Sequence, residues 1–96
     1  MNNIYQLVIE HDNFYDTKEF DSYLFESEED AIDYMRDLME SYQLDFVESY
    51  DCADINQLMS DYIEVTIESD TYVNWYIEDD CNINFYIQKK PILKFK

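Results

Sequence analysis

The sequence predicts an α+β domain: an antiparallel sheet of about five strands with two helices packed on one face, in the order β-β-α-α-β-β-β. Three observations predict it. The last third alternates apolar and polar residues in three successive runs, the middle carries apolar residues at helical spacing, and the first quarter holds two further strand-like runs. The chain has 96 residues, which sets the expectation of a single domain spanning 1–96. Its hydrophobic content of 47% excludes a disordered acidic tail, and ten tyrosines, six phenylalanines and Trp75 supply a compact core.

Taken in order, "NIYQLVIEH" (3–11) reads as a strand with Tyr5, Leu7 and Ile9 on one face and Ile4, Gln6, Val8 and Glu10 on the other. "FDSYLFE" (20–26) reads as its antiparallel neighbour. Ser27 is a good N-cap, and Glu28, Glu29 and Asp30 fill a first helical turn, where the helix dipole favours anions. From there a helix is expected to about Gln43, with Ala31, Met35, Leu38, Met39 and Tyr42 on one apolar stripe. "LDFVESYD" (44–51) fits either a short strand or a helical continuation. "CADINQLMSDY" (52–62) reads as a shorter helix capped by Asp51 or Asp54, with Ile55, Leu58, Met59 and Tyr62 inward.

The runs "YIEVTIE" (62–68), "TYVNWYIE" (71–78) and "NINFYIQ" (82–88) read as an antiparallel meander. One face takes Ile63, Val65, Ile67, Val73, Trp75, Ile77, Ile83, Phe85 and Ile87. The other takes Glu64, Thr66, Tyr72, Asn74, Tyr76, Asn84 and Tyr86. Pro91 ends the meander, and "ILKFK" offers a short edge segment.

The chain contains no glycine. Phosphate-cradling glycine loops are therefore excluded, and turns that need a positive φ must use Asn or Asp. The candidate turns "HDN" (11–13), "ESDT" (68–71) and "EDDCN" (78–82) have that chemistry. Cys52 and Cys81 read as reduced core residues. His11 is the only histidine and no CxxC pair exists, so no zinc site is expected; calcium loops fail for want of the turn glycine. No catalytic motif is present, and with 23 carboxylates no pair stands out for acid–base work. The sequence therefore predicts neither an enzyme nor a cofactor. No apolar leader follows Met1 and no run reaches transmembrane length, which predicts a cytoplasmic protein.

The net charge is −17. All 23 acids lie between Glu10 and Asp80, opposed there only by Lys18 and Arg36, so the body carries about −21 and the tail "QKKPILKFK" +4. Solubility accounts for a magnitude of roughly 2–8 in a small domain. A body this acidic repels nucleic acid and anionic membrane and attracts basic surfaces. The helix makes the case local. Asp33, Asp37 and Glu40 lie beyond the first turn, in like-charge pairs at i,i+3 and i,i+4 that together cost roughly 1 kcal/mol. Arg36 is expected to offset part of this through Asp33 and Glu40. From Glu29 to Glu40 four carboxylates span about 16 Å, one per roughly 5 Å. A DNA strand carries one phosphate per ~3.4 Å, so the row is dense enough to stand in for phosphates.

"SEEDAIDYMRDLME", "DCAD" and "IEDD", with the charge total, resemble the small acidic DNA-mimic inhibitors of phages and mobile elements, the anti-CRISPR and anti-restriction proteins. The resemblance lies in charge and size and includes no residue-for-residue motif. It implies a non-enzymatic inhibitor whose acidic face occupies the nucleic-acid groove of a basic protein such as a CRISPR effector nuclease or a restriction enzyme. The partner-binding residues expected are Glu29, Asp30, Asp33, Asp37, Glu40, Asp51, Asp54, Glu64, Glu68, Tyr72 and Tyr76, with tyrosines stacking on arginine planes. An antitoxin or immunity protein that neutralises a basic toxin nuclease has the same electrostatics. A protein-interaction module using the tyrosine-rich sheet face is the third reading.

Overall fold

The computed structural model describes residues 3–13, 18–77 and 81–91. The elements are β1 (Asn3–Asn13), β2 (Lys18–Phe25), α1 (Glu28–Ser49), α2 (Ile55–Asp61), β3 (Ile63–Glu68), β4 (Tyr72–Ile77) and β5 (Cys81–Pro91). They form one five-stranded antiparallel sheet in the order β2-β1-β5-β4-β3. This is the expected α+β architecture in the expected element order. The β1–β2 hairpin and the β3-β4-β5 meander are joined by β1 pairing with β5 along its length, from Asn3 opposite Pro91 to Asn13 opposite Cys81. β2 and β3 thus become the two edges, and the helices carry the chain from one edge to the other.

Both helices pack on one face of the sheet. Leu7, Ile9, Met35, Leu58, Ile63, Val73, Trp75, Ile77, Cys81, Ile83 and Phe85 form the buried cluster between the layers. Trp75 meets Phe85 edge-on at 4.9 Å, and Tyr42 of α1 meets the same ring at 5.6 Å. The expected α1 stripe holds: Ala31 and Met35 are buried, and Leu38, Met39 and Tyr42 pack on the cluster.

Several boundaries differ from the sequence expectation. α1 does not stop near Gln43 but runs 22 residues to Ser49, so 44–49 is helix. The reason is apolar: Phe46 and Tyr50 continue the stripe of Tyr42 at four-residue spacing. Phe46, Tyr50 and Tyr62 then stack in series, at 5.9 and 4.8 Å, and close α1 onto the end of α2. α2 begins at Ile55 rather than Cys52, because Asp54 is its N-cap and accepts from the Gln57 N–H at 2.9 Å. β1 extends through "HDN", which is strand and not turn. The "EDD" at 78–80 and the segment "ILKFK" lie outside the described residues.

The consequential correction is in β3. Val65 faces Trp75, but Ile67 faces Asn74, so Thr66 is the extra residue of a β-bulge. Everything beyond it changes face. Ile67 leaves the apolar side expected for it and stands 46% exposed on the opposite face. Glu68, opposite Val73, turns to the helix side.

Candidate functional site: two unlike faces

The helical side carries the acidic row. Ser27 caps α1 with its hydroxyl accepting from the Asp30 N–H, so the first-turn acids Glu28, Glu29 and Asp30 have a local reason. Glu29, Asp33, Asp37 and Glu40 are all exposed, and at 3.6 residues per turn they lie within an arc of about 80°. Arg36 does not neutralise them as expected. Its guanidinium reaches away from the row to Asp70 in the β3–β4 turn, at 3.4 Å between two well-exposed side chains. Ser69 shapes that turn: its hydroxyl accepts from the Tyr72 N–H at 3.0 Å. Below the ion pair, Met35, Met39 and Val73 floor a groove of about 460 Å³ rimmed by Arg36, Glu68, Ser69 and Asp70. The bulge at Thr66 is what brings Glu68 to this rim.

The row ends at an apolar patch. Leu44 is 53% exposed on the wet side of α1. With Val47, Ala53, Asp54, Ile55 and Asn56 it lines a groove of about 420 Å³ between the end of α1 and the start of α2. The sequence does not show this groove, because 44–51 fits a strand as well as a helix. The spacing from Glu40 to Leu44 was the available signal.

Asp51 and Asp54, both expected at the partner site, sit at the α1–α2 turn with structural duties. Asp51 has φ +54°, the one positive φ among the described residues. Its N–H donates to Glu48 O and that of Cys52 to Val47 O, the paired bonds that close a helix in the left-handed manner usually reserved for glycine. Cys52 beside them is half-buried, with a thiol pKa raised by burial and by the carboxylates of Asp61, Asp51 and Asp54. The shift favours the protonated thiol, and Cys81 is buried in the core; no disulfide joins the two cysteines.

Glu64, Tyr72 and Tyr76 lie elsewhere, on the helix-free face of the sheet. Glu64 is the cross-strand partner of Tyr76. Tyr72 packs on Tyr86 at 5.9 Å and donates its hydroxyl to Asn84 at 3.3 Å. At the centre of this face, Thr66 donates to Asn74, Asn74 donates to Asn82 at 2.9 Å and also to Asn84, and Asn84 donates to Glu10 at 3.4 Å. The chain of amides crosses β3, β4, β5 and β1. The sheet thus separates Tyr72 and Tyr76 from the acids of α1, and a flat partner cannot touch both sets at once.

Among the described residues no group of acids, cysteines or histidine is arranged to hold a metal ion, and no helix is long and apolar enough to cross a membrane. No family model, curated protein or solved structure matches this chain.

Proposed function

We propose that this protein is a non-enzymatic inhibitor whose acidic helical side stands in for DNA phosphates and occludes the nucleic-acid groove of a basic protein, such as a CRISPR effector nuclease or a restriction enzyme. The observation that carries the reading is the unneutralised row Glu29, Asp33, Asp37 and Glu40 on α1, whose one nearby cation is turned to Asp70. Such a row costs folding energy, and a lysine- or arginine-lined groove offsets that cost on binding. The apolar groove at Leu44 adjoins the row, where a partner side chain can anchor while the acids steer association.

The test is capture of partners from a host lysate, repeated with excess duplex DNA. The expected result is displacement by DNA. Partners retained equally well with DNA present overturn occlusion of a nucleic-acid site. Replacing Asp33, Asp37 and Glu40 together by Lys is expected to weaken capture by slowing association, most at low salt. Unchanged affinity moves the site off α1. An immunity-type protein gives the same charge dependence, but its partner is a toxin nuclease encoded beside it, and protection of cells from that toxin is the distinguishing result.

A further inference from the structure

We propose that the helix-free face of the sheet is the surface through which two copies of this chain pair, face to face, as a two-sheet sandwich. This goes beyond the inhibitor reading and does not rest on it. Cross-strand register puts five of the eight exposed large apolar side chains of the described residues on this one face: Phe20, Leu24, Ile67, Tyr72 and Tyr76. Phe20 and Leu24 are 60% and 65% exposed. Val8, Tyr86 and Tyr72 continue the apolar band across β1, β5 and β4. No described helix packs on it. Single exposed apolar residues need no explanation, whereas a set gathered on one face marks a contact surface.

Charge selects the occupant. The acids of α1, Glu68 and Asp70 lie on the helical side, so a second copy of a −17 chain meets least repulsion at the sheet face. The charges on the face are also self-complementary. Glu10, Asp12 and Glu64 stand towards one end of the strands, where register also places Lys18 opposite Asp12, and Lys90, opposite Ile4, stands at the other end. A two-fold axis lying across the strands brings Lys90 of each copy to the Asp12 end of its partner.

The polar centre tolerates coverage. Among the described residues no buried side-chain nitrogen or oxygen lacks a hydrogen-bond partner, and the amides of Asn74 and Asn84 already bond within the sheet. The size is adequate. Five strands about 4.8 Å apart, ranging from the six residues of β3 and β4 to the eleven of β1 and β5 at about 3.4 Å per residue, present roughly 500 Å² in projection. Side-chain relief raises the accessible area towards the ~800 Å² that each partner gives to a standard interface. Two antiparallel sheets stacked ~10 Å apart are a stable architecture. The assembly leaves both α1 acid rows facing outwards.

Sedimentation equilibrium of the full chain at micromolar concentrations and physiological salt tests the proposal. The expected mass is twice that of the 11.8 kDa chain. Phe20→Lys and Leu24→Lys are each expected to weaken pairing by about tenfold or more, with unchanged circular dichroism. Leu44→Lys, at an equally exposed position on α1, leaves pairing intact. Lys90→Glu weakens it, and adding Asp12→Lys in the same chain restores it. A chain that stays monomeric at the highest concentrations overturns the proposal, whatever else covers the face. A dimer indifferent to both Phe20→Lys and Leu24→Lys overturns it as well. Failure of Asp12→Lys to rescue Lys90→Glu overturns the two-fold arrangement.

Discussion

Asp51 stands where helices that close in the left-handed manner usually place glycine. A chain without glycine still has to turn out of α1, and an aspartate tolerates φ +54° better than any branched residue does. The position is also electrostatically poor, because Asp51 and Glu48 both sit at the negative end of the helix dipole. Asp51→Asn keeps the left-handed tolerance and removes one charge, so it is expected to raise the urea midpoint by an amount equivalent to about 0.5 kcal/mol. Asp54→Ala is expected to do the reverse, costing about 1 kcal/mol by removing the cap on Gln57. Both aspartates are thus explained by the backbone they serve. The sequence already showed that Asn or Asp must take the positive-φ turns, but not which aspartate would do so.

At the scale of the element, α1 trades stability for charge. Its inner stripe from Ala31 to Tyr42 was legible from spacing alone, because helical periodicity is a local property. Its last turns were not. "LDFVESYD" carries adjacent apolar residues that suit a buried strand as well as a helix, and the choice falls to the stacking of Phe46, Tyr50 and Tyr62, which needs α2 in place. The acid row on the outer stripe has no comparable folding role. Asp33→Asn, Asp37→Asn and Glu40→Gln combined are therefore expected to stabilise the fold by up to about 1 kcal/mol in denaturant unfolding. The same triple variant is expected to lose partner capture. A variant that gains neither stability nor loses capture would show that the row serves neither purpose.

For the whole molecule, the excess of negative charge acts on compactness. A net charge of −17 on one small domain is a repulsive load that mobile ions screen within roughly 10 Å at 0.1 M salt. The melting temperature is therefore expected to rise as sodium chloride is increased from very low to physiological concentration, measured by circular dichroism. A melting temperature that falls with salt would mean that attractive ion pairs outweigh repulsion, and a flat one that the two balance. Arg36–Asp70 is the ion pair seen between described side chains, and it is exposed on both sides.

The five-strand, two-helix plan, the identity of the apolar stripe and the surplus of acids all follow from local chemistry: backbone periods of two and 3.6, caps, and composition. None of these reaches across the chain. The pairing of β1 with β5 joins residues at opposite ends of the sequence, and it alone makes β2 and β3 the edges. The bulge at Thr66 is a one-residue slip in register, which no alternation pattern reveals, yet it moves Ile67 to the open face and Glu68 to the groove beside Arg36. That register decides that Ile67 joins the open face and Glu68 the helical side, whereas the side on which Tyr72, Tyr76 and Tyr86 lie follows from alternation and is as expected. Side-chain direction in a sheet is set by the partner strand as much as by the residue itself.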